Sequence, residues 1–81
     1  MKKELIREEL EKVAERFAFR VIYDNFEGKG GRCRLRGENL LIINKSLPVN
    51  EKIKLLSAEL KKLPVDDIFI PPKIREVIQE S

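Results

Sequence analysis

Along residues 2–17 the apolar positions Leu5, Ile6, Leu10, Val13, Ala14 and Phe17 recur at steps of three and four, with Lys, Glu and Arg between them. That is the period of an α-helix with one buried stripe, so the segment reads as a helix laid over a sheet. Glu8 and Lys12 stand four apart in the order that favours an ion pair on its outer side. The period then changes. Phe19, Val21, Ile22 and Tyr23 are aromatic or β-branched, and Asp24-Asn25 closes the run with turn-forming residues, which predicts a strand over 19–23 with Arg20 turned outward.

Between Gly31 and Gly37 the residues alternate strictly as Arg32, Cys33, Arg34, Leu35, Arg36. Period two is the mark of a strand with one face on a core and one in water, so Cys33 and Leu35 are expected to point inward and the three arginines outward together. Gly37-Glu38-Asn39 then supplies a hairpin loop, and Leu40 to Ile43, apolar at four consecutive positions, reads as a central strand covered on both faces. The strands of this hairpin are placed at 31–36 and 40–44.

Helical spacing returns after a short connection. Ile53, Leu56, Leu60 and Leu63 define the buried stripe of a helix over 51–63, with Asn50 as its N-cap, Glu51 in its first turn, Lys61 and Lys62 in its last, and Pro64 as its stop. Asp66-Asp67 opens a turn, Ile68-Phe69-Ile70 is a short extended segment, and Pro71-Pro72 starts a final helix, 72–79, that docks through Ile74, Val77 and Ile78. Adjacent strands flanked by helices predict an α+β domain: a small antiparallel sheet of about three strands, with helices 2–17 and 51–63 packed on it and a short C-terminal helix.

Eighty-one residues make a single domain, 1–81, near the lower size at which one core suffices. The lone cysteine excludes an internal disulfide and fits a reducing cytoplasm, and the first ten residues hold no apolar run of the kind a signal peptide or membrane span needs. The chain is therefore expected to be soluble and cytoplasmic, with no membrane partner. Charged residues make up 38%, rich in Lys and Glu, a balance that leans toward a thermophilic source.

The chemistry the chain can carry is narrowed most by the absence of histidine, which removes the commonest general base at neutral pH and the commonest transition-metal ligand. Cys33 adjoins two arginines in sequence, but alternation sets them on the opposite face, so a buried apolar role is expected rather than a nucleophile. Gly28, Gly30 and Gly31 around Lys29 offer either a flexible entry to the hairpin or a backbone nest for an anion; the spacing of a Walker loop is missing. Net charge is only +3, yet residues 28–37 hold Lys29, Arg32, Arg34 and Arg36 and no acid. Arginines about 7 Å apart along a strand match the spacing of successive phosphates, so Lys29, Arg32, Arg34, Arg36 and, at the margin, Arg20 are the candidate residues for binding a nucleic acid or another polyanion. The competing reading is an edge strand that charge protects from aggregation.

Two resemblances follow from these segments. Ile42-Ile43-Asn44, a short loop, and Glu51-Lys52-Ile53 leading to Ala58-Glu59-Leu60-Lys61-Lys62 resemble, over residues 40–63, the strand-loop-helix core of the ImmA/IrrE-type zinc peptidases. In that alignment the family's two histidines fall on Ala58 and Lys62 and its glutamate on Glu59, so the resemblance implies neither zinc nor peptidase activity. The whole chain also resembles a family of short uncharacterised bacterial proteins with a G-G-x-C-R-x-x-G hairpin and a P-x-x-R-E ending, here Gly30, Gly31, Cys33, Arg34, Gly37 and Pro72, Arg75, Glu76. The sequence thus predicts no enzyme, no cofactor and no metal, but a small interaction module that self-associates as a homo-oligomer, a dimer above all, or docks on a protein partner. Nucleic-acid binding through the hairpin is the alternative.

Overall fold

A computed structural model describes residues 1–81 and shows an α+β fold, as the change of period predicts. Its elements are α1 (Lys3–Arg16), β1 (Phe19–Asp24), β2 (Gly30–Leu35), β3 (Glu38–Asn44), α2 (Val49–Lys61), a 3-10 turn (Val65–Asp67) and α3 (Pro72–Gln79). No helix is long and apolar enough to cross a membrane.

The sheet is mixed and not purely antiparallel, which corrects the expected meander. Its strand order is β1-β3-β2: β3 lies between the other two, antiparallel to β2 and parallel to β1. The physical reason lies in the loop of residues 25–29. Five residues easily bridge the roughly 10 Å of two strand spacings, so the chain steps over the end of β3 instead of turning straight back on β1. Asn44, the last residue of β3, holds that loop from beneath: its Nδ2 donates to the carbonyls of Phe26 and Gly28, each at 2.8 Å, while its Oδ1 accepts from the Ser46 N–H. The four apolar residues Leu40–Ile43 thereby take the central position they were expected to take, but they are not covered on both faces: only Leu41 and Ile43 face the helices, while Leu40 and Ile42 alternate to the open side.

Only one face of the sheet joins the core. Phe19, Leu41 and Ile43 pack with Ile6, Leu10, Val13 and Ala14 of α1, Leu56 and Leu60 of α2, and Ile74 and Ile78 of α3, with Ile70 closing the lower side. Ser57 of α2 is buried among them, and its Oγ makes no hydrogen bond. The molecule is a two-layer slab, 33 × 29 × 17 Å.

Several local expectations are also corrected. The hairpin turn is the pair Arg36-Gly37, not Gly37-Glu38-Asn39. Both residues have positive φ, +51° and +81°, the geometry of a two-residue turn whose twist suits the flanking strands, and so Glu38 and Asn39 enter β3. α2 begins at Val49 behind Pro48, with Asn50 inside its first turn. Lys12 pairs with Glu9 at 3.2 Å rather than with Glu8. Segment 68–70, by contrast, is extended as expected; it pairs with no strand, and Ile70 is buried.

Cys33 and Leu35 do not point inward. Both are exposed, Leu35 at 57%, because β2 is an edge strand whose core-side positions are occupied by arginine. The Arg32 guanidinium lies over the Phe19 ring, its carbon 5.2 Å from the centroid, on the side of the sheet where an apolar side chain was expected.

A candidate interaction surface on the open side of the sheet

The register fixes which side chains share a face. Cys33 and Leu40 are directly paired, as are Gly31 and Ile42, and on the other side Leu40 pairs with Arg20 and Ile42 with Ile22. Directly paired residues point the same way. Ile22, Leu40, Ile42, Cys33 and Leu35 therefore form one apolar surface on the side away from the helices, and none belongs to the core cluster. Leu40 is hemmed in by its neighbours to 4% exposure, but Ile22 and Ile42 are only half-buried. Phe26, 38% exposed on the loop 25–29, reaches the same side and with Gly31, Cys33 and Ile42 lines a shallow groove of about 490 Å³.

The edge of that surface carries both charges. Arg20 and Glu38, both largely exposed, face each other at 3.8 Å. With Asp24 on the same side of β1, the open face carries one more acid than base.

The five candidate cations are not brought together. Arg32 and Arg34 project toward the helix side, Arg20 toward the open side, Arg36 occupies the turn and Lys29 the loop. Three of the five have acidic neighbours: Arg32 Nε is 3.4 Å from Glu59, Lys29 Nζ 3.7 Å from Glu51, and Arg20 3.8 Å from Glu38. Arg34 and Arg36 make no ion pair. The alternation along β2 was legible, but the direction of the row was not.

Glu59, at the position where the peptidase resemblance places a glutamate, is bracketed by Arg32 and by Lys62 at 3.2 Å, with its side chain 13% exposed. A second polar cluster joins α1 to β1. The Tyr23 hydroxyl donates to the Glu11 carboxylate and accepts from Arg7 Nη1 at 3.2 Å, while Arg7 also pairs with Glu4 and Glu11. Lys52 of α2 also stands over the Tyr23 ring, 5.4 Å from its centroid. Burial, and then the hydrogen bond to Glu11, push the Tyr23 phenol up to about 12. The hydrogen bonds to Glu4 and Tyr23 raise Arg7, and the bond from Arg7 lowers Glu4. A protonated tyrosine whose hydroxyl is held by Glu11 and by the carboxylate-paired Arg7 is a brace between layers, since neither its proton nor its oxygen is free to react.

The glycines before β2 have a steric task. Gly30 has φ +124°, and a Cβ there would stand 2.0 Å from the Ile42 carbonyl oxygen, so no side chain fits where β2 begins. The Gly28 carbonyl is taken by Asn44.

The arginine pattern does not mark Phe26, Ile22 or Ile42 as surface residues. The sequence signal for this face is the presence of Phe26 and Leu35 in the otherwise polar stretch 24–39, two large apolar residues with no helical or strand partner to bury them. Comparison of the chain with protein-family models, with curated proteins and with solved structures finds no match among any of them.

Proposed function

We propose that the protein is a non-enzymatic interaction module that works through the open face of its sheet. The observation that carries this reading is the contiguous apolar set Ile22, Ile42, Cys33, Leu35 and Phe26, which no element of the chain covers. Exposed apolar surface of this kind, rimmed by charge, is the usual mark of a docking site. The reading of a chain without catalysis is supported by the absence of histidine, by the engagement of Glu59 with two cations, and by the exposed Cys33 having no imidazole to act as its base. Sedimentation and capture from a cell lysate test it together. The wild type is expected either to sediment above the monomer or to retain a protein that Leu35→Lys releases, and a chain that does neither has no such role.

Polyanion binding is a second reading, favoured by Arg34 and Arg36, which are exposed and unpaired. Two free cations support weak, sequence-indifferent binding, with a slope of log K on log salt of about −2 or shallower. Retention of full nucleic-acid binding by an Arg34→Ser, Arg36→Ser variant, or no binding by the wild type at low salt, removes this reading.

A further inference from the structure

Resting on the interaction-module reading, we infer that the occupant of the open face is a second copy of the same chain, packed sheet to sheet across a two-fold axis. Three observations point to this partner. The first is where the apolar groups lie. The free edge of β2 is formed by the outward backbone groups of Arg32 and Arg34, because the bond from Asn44 N–H to the Lys29 carbonyl and the pairing register turn those of Gly31, Cys33 and Leu35 toward β3. Pairing two such edges would set arginine against arginine. The open face instead presents isoleucine, leucine, cysteine and phenylalanine.

The second is charge. A charged rim is self-complementary across a two-fold axis when it carries both signs, and this rim carries Arg20 and Glu38 side by side. As an exposed pair within one chain they contribute little, so re-pairing Arg20 of one copy with Glu38 of the other loses almost nothing and fixes the orientation. A polyanion would meet a face with no excess of cations, and an anionic membrane would meet the same.

The third is size. Three strands of six or seven residues, with the loop that carries Phe26, offer on the order of 500 Å² per copy, so the pair buries about 1,000 Å², the lower limit of a specific interface. The slab is thin, 17 Å, and a second layer at the usual sheet-to-sheet spacing of about 10 Å turns two open sheets into the centre of a four-layer stack. Near that lower limit a weak, reversible dimer is expected, with a dissociation constant of roughly 1–100 μM.

The test is sedimentation equilibrium on the full chain, with circular dichroism confirming that each variant folds. The wild type is expected to dimerise in the micromolar range and Leu35→Lys, at an exposed position, to weaken the dimer at least tenfold. Arg20→Glu leaves a rim with acids at both positions and Glu38→Arg one with cations at both, so each alone is expected to be monomeric while an equimolar mixture regains the dimer. A wild type that stays monomeric to roughly 1 mM overturns the inference. So does a dimer indifferent to Leu35→Lys, or a mixture no more associated than its parts. A monomer that captures a different protein, or that adheres to phospholipid vesicles, through Leu35 overturns the second copy as occupant while leaving the open face as an interaction surface.

Discussion

Arg32 spans the boundary between sheet and helices by lying on Phe19, its guanidinium carbon 5.2 Å from the ring centroid and its Nε 3.4 Å from the Glu59 carboxylate. A residue that the alternation presents as one of three equivalent arginines is thereby distinguished from the others.

Arg32→Ala removes that stacking and an ion pair whose acid is largely buried, and is expected to destabilise the fold by about 1 kcal/mol. Arg34→Ala touches no partner and should change stability by less than about 0.5 kcal/mol. Chemical denaturation of the two variants side by side decides; equal effects mean that Arg32 contributes no more than a solvated strand residue.

Two non-glycine residues occupy left-handed backbone conformations: Ala18, φ +62°, after the end of α1, and Arg36, φ +51°, in the hairpin turn. Ala18 follows the helix where its N–H donates to the Glu15 carbonyl, a site that glycine fills without a Cβ penalty. Ala18→Gly and Arg36→Asn are each expected to stabilise by roughly 0.5–1 kcal/mol, a rise of about 2–8 °C in Tm for a domain of this size. A lowered Tm in either variant would show that the side chain, not the backbone, decides that position.

Ser57 is 2% exposed and its hydroxyl is unbonded. Ser57→Ala keeps the helix and removes the unsatisfied group, so thermal unfolding should show a gain of about 1 kcal/mol. A loss of that size would point instead to a hydrogen bond made by Oγ in solution.

Stability is expected to fall at high pH through Tyr23. Its folded pKa, about 12, lies above the ordinary value of 10.0, so between these limits the native state holds a proton that the unfolded chain has released. The unfolded state then binds fewer protons, and unfolding becomes easier as pH rises; below pH 10 the contribution is constant. The half-buried ring limits the effect to roughly 1–2 kcal/mol. Tyr23 is the single tyrosine and there is no tryptophan, so phenolate absorbance reports it alone. A phenol that titrates at its ordinary value in the folded protein, or a Tyr23→Phe variant with the same alkaline loss, would assign that loss elsewhere.

The elements of this fold were legible because each follows from spacing over a few residues: the stripe Leu5 to Phe17, the alternation through Arg32 to Arg36, the unbroken run Leu40 to Ile43. What joins them was not. The parallel pairing of β1 with β3 depends on the contact of Asn44 with a loop sixteen to eighteen residues earlier, and nothing local to Asn44 distinguishes it from a strand-ending asparagine. The inversion of β2 has a similar cause. Alternation says that Cys33 and Leu35 share a face, but an arginine can be drawn inward by Phe19 and Glu59, and then the apolar residues are the ones left outside.

The position of β3 also sets an order in which the sheet can assemble. β1 and β2 never pair with each other, and each depends on a strand that is last in the sequence and middle in space. The β2–β3 hairpin closes through a two-residue turn and needs only local contacts, whereas β1 joins β3 across about twenty residues and must wait for it. A chain ending before residue 38 therefore carries two strands with no mate for either, and the N-terminal helix has no sheet on which to settle.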